Sequence, residues 1–119
     1  MDQISQEILD SKTTRVLASD LRNYVNQCVR VVGQFDVEET QKIMSQGRIV
    51  LRSARPSEPP MVVRLDEESI SMEFGILEVV GTVADDLSIE PQLLLSLDNF
   101  DLGVYEEVIA RTRKFPAIF

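Results

Sequence analysis

Cys28-Val29-Arg30-Val31-Val32-Gly33-Gln34-Phe35-Asp36-Val37 is the stretch on which the fold turns. Val29, Val31, Gly33, Phe35 and Val37 fall on one side of an extended chain, and Arg30, Val32, Gln34 and Asp36 on the other. Alternation with a period of two marks a half-buried strand. A glycine inside a flat strand weakens it, whereas a bulge or a barrel corner calls for one. A second strand, over residues 76–84, repeats the device: Val79-Val80-Gly81-Thr82-Val83 echoes Val31-Val32-Gly33-Gln34-Phe35. We read this as two strands under the same bend constraint, not as a sequence repeat.

Working outward, apolar runs at 48–52 and 61–65 flank residues 53–60, which hold three prolines, so a strand-loop-strand pair is expected. Residues 45–47 supply a turn signal ahead of it. Leu93, Leu95 and Leu97 mark a fifth strand after Pro91, and the acidic stretch 66–73 is too short for a domain linker. From Thr14 onward Val16, Leu17, Leu21, Tyr24 and Val25 recur at helical spacing and predict a short amphipathic helix entering the domain. Five short strands followed by a helix, two of them with internal glycines, point to a small closed barrel of all-β class. The five-stranded OB-fold is the best-known solution of that size, and closure removes the edges that loose strands would leave. The expected organisation is a flexible N-terminal extension at 1–13, an OB-fold domain at 14–101 and an assembly helix at 102–116.

Composition narrows the function. The 119 residues suit one domain, and 44% hydrophobic residues suffice for a core. Nothing in the chain reads as a membrane span or a secretory leader. The lone Cys28, beside Val29, reads as a packing thiol in a reducing compartment. A net charge of −8 argues against a protein whose main task is holding phosphates, though not against a subunit of a nucleic-acid-binding assembly. The chain has no histidine, which removes the commonest general base and zinc ligand. The acidic runs Asp66-Glu67-Glu68 and Asp85-Asp86 lack a phosphate loop, a calcium spacing or a paired nucleophile. We expect no enzyme, no metal and no cofactor.

The closing helix carries most of the functional signal. On a wheel of about 100° per residue, Val104, Phe115, Val108, Thr112, Tyr105, Ile109 and Leu102 span roughly 160°. Arg113, Glu106, Ala110, Lys114, Glu107 and Arg111 fill the remainder. Acids stand near the start, bases near the end, and Pro116 stops the helix. A helix docked only on its own domain needs an apolar stripe little over about 100° wide. Either the whole face caps the barrel, or part of it meets helices of partner chains.

A second candidate surface lies over the second and third strands, where OB barrels bind single strands. Lys42, Arg48, Arg52, Arg55 and Arg64 gather there, but no aromatic falls between Thr40 and Asp66 to stack a base. The choice is between a salt-bridged, solvated face and a weak DNA contact.

Phe100-Asp101-Leu102-Gly103-Val104-Tyr105, continuing to Phe115-Pro116, together with Leu65-Asp66-Glu67-Glu68, Leu77-Glu78-Val79-Val80-Gly81-Thr82-Val83 and Val29-Arg30-Val31-Val32-Gly33, resembles the smallest subunit of replication protein A. The resemblance keeps the element order and spans nearly the whole chain. It implies a nuclear OB-fold subunit that joins the middle subunit and the C-terminal OB domain of the large subunit through a parallel bundle of C-terminal helices. Single-stranded DNA would be held mainly by the other subunits. The bundle residues would be Leu102, Tyr105, Val108, Ile109, Thr112 and Phe115. The stretch Arg111-Thr112-Arg113-Lys114 is more polar than the family pattern. A telomere-end or telomerase-associated paralogue, or a self-associating OB module, would share these features.

Overall fold

In the computed structural model, which describes residues 13–70, 72–97 and 100–112, the two glycine-bearing strands lie side by side. A two-residue strand β1 (Thr14–Arg15) precedes them in the chain. The barrel is built from β2 (Cys28–Phe35), β3 (Arg48–Arg52), β4 (Met61–Arg64), β5 (Ile76–Val83) and β6 (Ile89–Leu97). Helix α1 (Val37–Ile43) falls between β2 and β3, and helix α2 (Leu102–Thr112) follows β6.

The sheet closes because β2 has two partners. Residues from Cys28 to Gln34 pair antiparallel with β5, and Gln34 and Phe35 pair with Arg52 and Leu51 of β3. The bend falls at Gly33, where a Cβ would lie 2.8 Å from that of Leu51. Gly81 serves β5 in the same way: the β5–β6 register shifts between Val80 and Gly81, and a Cβ there would run into the Glu90 carbonyl. Opposite it stands Pro91, whose missing N–H is tolerated at such an irregularity. A parallel bridge between Val63 and Ile89 completes the circuit. This is the expected five-stranded OB-fold barrel with a C-terminal helix. Val29, Val31, Ile49, Leu51, Val63, Leu77, Val79, Val83 and Ile89 fill its interior, and Phe35 meets Phe74 edge-on at 5.5 Å.

The structure departs from the sequence reading at several places: Cys28 is exposed and not a packing thiol, and two segments take other geometries. The entering segment is not an amphipathic helix. The Val16 amide donates to the Arg30 carbonyl at 3.1 Å, so Thr14 and Arg15 run parallel to β2. Only Ala18–Asn23 coils, as a 3₁₀ turn whose Asp20 accepts from the Leu17 amide at 2.8 Å. Val16, Leu17 and Leu21 are still buried. The helical spacing reported burial correctly and geometry wrongly. Second, Val37 does not extend β2. Asp36 accepts from the Glu39 amide at 3.1 Å and caps α1 instead.

Helix α2 packs on β2 from outside the barrel, and Val32, which points away from the interior, is buried on that side. Among the described residues no helix is long and apolar enough to cross a membrane. Residues 1–12 of the expected extension lie outside the described residues, as do Phe115 and Pro116.

Candidate assembly and nucleic-acid interfaces

Helix α2 begins at Asp101, whose carboxylate accepts from the Val104 amide at 3.0 Å and so satisfies one of the first orphan donors. From there the side chains sort by face. Leu102 and Ile109 are 7% and 6% exposed, turned onto the chain's own barrel. Tyr105 is half-buried, tilted against the Phe100 ring at 5.4 Å, and burial pushes its hydroxyl up to about 12. Val104 and Val108, by contrast, are 60% and 46% exposed. With Asp101, Gly103, Glu107 and Arg111 they line a shallow groove of about 470 Å³ along the outer side of the helix. Glu107 and Arg111 pair across one turn at 3.0 Å, so the rim is charged and the middle apolar.

Of the six bundle residues expected from sequence, the structure therefore leaves Val108 open to a partner. It places Leu102 and Ile109 under the helix and Tyr105 between the two faces. Phe115 lies outside the described residues, and only the backbone of Thr112 is described. Val104, which the bundle assignment left out, is exposed on the same side as Val108. It stood at the edge of the apolar arc, and its exposure follows from the rotation of the helix, which a wheel cannot supply.

Glu106 is the larger surprise. Placed on the polar arc by sequence, it is 1% exposed. Its carboxyl accepts from the Ser53 hydroxyl and, at 2.7 Å, from the Ala54 amide, both in the loop between β3 and β4. A buried acid costs free energy unless it is hydrogen-bonded, and here both oxygens are engaged.

Of the five basic residues read from the sequence, four meet carboxylates of the chain itself. Arg48 and Arg64 are cross-strand neighbours on β3 and β4, and both reach Asp86, at 3.6 and 3.3 Å. Hydrogen bonds from the Ser88 hydroxyl and amide, helped by Arg64, hold Asp86 down at about 2. Arg52 meets Asp36 at 2.6 Å, which lowers that carboxyl, and Lys42 meets Glu39 at 3.0 Å. Arg55, in the β3–β4 loop, has no ion pair among the described residues. These pairs are exposed and each is worth little to stability. Their consequence is electrostatic: a phosphate approaching Arg48 or Arg64 meets a carboxylate already in place.

The family model described as replication factor A protein 3 matches residues 9–119. No curated protein matches the chain by sequence. Among solved structures, a chain from U. maydis replication protein A bound to single-stranded DNA is similar with a TM-score of 0.71 and 22% identity, covering 90% of this chain and 94% of that one. A chain of the S. pombe Stn1–Ten1 complex is similar at a TM-score of 0.64 and 15% identity, covering 88% and 95%. The S. pombe telomere capping protein Ten1 follows at 0.60 and 15%, covering 87% and 99%. At these identities the likeness is one of fold.

Proposed function

The chain belongs to the replication factor A protein 3 family, and from that premise we propose that it is the structural, heterotrimerising subunit of a replication protein A-like complex that binds single-stranded DNA in the nucleus during replication, repair and recombination. Its partners are the middle subunit and the C-terminal OB domain of the large subunit, met through the outer face of α2. It works without catalysis, and the other subunits hold the DNA.

The observation that carries this reading is the valine pair of α2. Val104 and Val108 stand in water on a helix that already has its own barrel to dock on. Each is only about half exposed, so a partner helix that covers it recovers roughly half of the 1.5–3 kcal/mol that full burial of such a side chain is worth. The pairing of Lys42, Arg48, Arg52 and Arg64 with the chain's own carboxylates supports the second half of the reading, because it reduces the positive charge offered to a DNA strand. Co-expression with the two partner OB domains should yield a stoichiometric complex, and Val108→Glu should abolish it with the barrel's circular dichroism unchanged. A chain that stays monomeric and ignores both partners sinks the proposal.

The fold likeness to S. pombe Ten1 favours one rival, a telomere-dedicated trimer built by the same helix physics. Affinity purification from the source cell separates the two by the large subunit that comes along.

A further inference from the structure

We infer that Glu106 sets the rotation of α2, and so decides which side of the helix is offered to partners. The apolar residues of the helix are centred near 80° from Val104, halfway along their arc of roughly 160°. The residues turned inward are Leu102, Tyr105, Glu106 and Ile109, which centre near 150° on the same wheel of about 100° per residue. The helix is thus turned by roughly 70° from the seating that apolar burial alone would select. At that other seating Val108 would face the barrel and Glu106 would face water.

What displaces the helix is the hydrogen bonding of Glu106. In the observed seating its carboxyl accepts from the Ser53 hydroxyl and the Ala54 amide. The Ser53 oxygen in turn accepts from the Arg55 amide at 2.9 Å. The loop is braced at its other end, where Glu58 accepts from the amide and the hydroxyl of Ser19, each at 3.1 Å. The helix is therefore keyed into a loop that is itself held at two points. A turn of the helix toward its apolar centre breaks both bonds to Glu106 at once. Nothing comparable fixes the valines, so a non-directional term yields to a directional one. Buried polar contacts of this kind can select one arrangement out of several of similar apolar burial.

Glu106 is thus a positioning residue: it touches no partner and acts through Val104 and Val108. The seating stands on the hydrogen bonds alone, whereas its link to assembly rests on the proposed function, and the experiment reads the two separately. In the full chain carrying Cys28→Ser, single cysteines at Val104→Cys or Leu102→Cys are labelled with a thiol reagent. The cysteine at 104 should react at least about tenfold faster, because a buried thiol reacts only through local opening. Adding Glu106→Leu should raise the rate at 102 severalfold and lower it at 104, with helix content retained. Glu106→Gln, which can still accept from Ala54 and meet the Ser53 hydroxyl, should restore the original pattern. Ser53→Ala should shift it in the same direction as Glu106→Leu by a smaller amount, and it serves as the test if the leucine variant does not fold. An unchanged labelling pattern in Glu106→Leu, or in Ser53→Ala where that variant serves, overturns the inference, as does failure of the glutamine to rescue. Partner binding measured on the same variants should follow the labelling; labelling that shifts without any change in binding would spare the seating and sink the proposed function.

Discussion

Two surfaces of this chain invite a partner, and they are finished to different degrees. The basic face over β3 and β4 gathers Lys42, Arg48, Arg52, Arg55 and Arg64, yet four of these five already meet a carboxylate of the chain, Arg48 and Arg64 sharing Asp86. The outer side of α2 is modest by comparison, two valines between a charged pair, but nothing in the described chain covers it. A partner surface is thus identified by what the fold leaves unsatisfied, not by how much of one residue type gathers there.

The sharpest way to break this contrast is to charge the open side of the helix. Val104→Glu or Val108→Glu should weaken assembly with the partner OB domains by over a hundredfold, about 3 kcal/mol or more, since a buried charge at an interface centre is unpaired. The isolated chain should lose no more than about 0.5 kcal/mol, because both sites are exposed on the monomer. Titration calorimetry and thermal melts measure the two effects separately. The inner side should behave in the opposite way. Ile109→Ala should cost the free chain about 2–3 kcal/mol through lost burial and a cavity against the barrel. If Ile109→Ala leaves the melting curve alone while Val108→Glu lowers it, the two sides have been exchanged and the comparison fails.

That inner and outer sides were confused in the sequence has a physical cause. The barrel was legible because strand period, internal glycines and proline-rich turns act locally: Gly33 and Gly81 announce the bends that the structure makes at those positions. The helix was legible as an element for the same reason, through its apolar arc, its acid-to-base charge order and the stop at Pro116. Its rotation was not, because rotation depends on Ser53 and Ala54, more than fifty residues away in the chain. The 3₁₀ turn at Ala18–Asn23 failed similarly. Its buried residues follow a helical spacing, while the hydrogen bond from Val16 to Arg30 that keeps the entry extended is non-local. The basic cluster could be counted from sequence, but its pairing with Asp86 needs the β5–β6 turn folded beside β4.

Tyr105, on the border between the inner and outer sides, gives a smaller and pH-dependent handle. Its hydroxyl is buried without a hydrogen-bond partner among the described residues, and its pKa rises from 10.0 to about 12, chiefly through desolvation. The neutral form is favoured in the folded chain, so the unfolded chain ionises first as pH rises. Stability is then intact below pH 10 and declines between 10 and about 12, by no more than about 2 kcal/mol given the partial exposure of the side chain. Tyr105→Phe should remove that part of the alkaline decline and leave stability at pH 7 equal or slightly higher, since no hydrogen bond is lost. Denaturant melts at pH 7, 10 and 11.5 check it. A parallel decline in both proteins would place Tyr105 in water, on the partner's side of the helix.

The smallest effect is expected where the charge is greatest. Arg52→Glu and Arg64→Glu each place a carboxylate opposite one already present, Asp36 or Asp86, so some local loosening of the β3–β4 edge is expected in the free chain. The affinity of the assembled complex for a single strand should nevertheless fall by less than about threefold. A phosphate contact that matters lowers the dependence of log K on log salt by about one when it is removed. Here a strand would first have to displace Asp86 from two arginines or Asp36 from one, an exchange of one anion for another with little net gain. The slope measured with both substitutions together should therefore change by well under one. A drop approaching two, or loss of most of the binding, would show that DNA competes successfully with the chain's own carboxylates. The basic face would then be as unfinished as the outer side of α2.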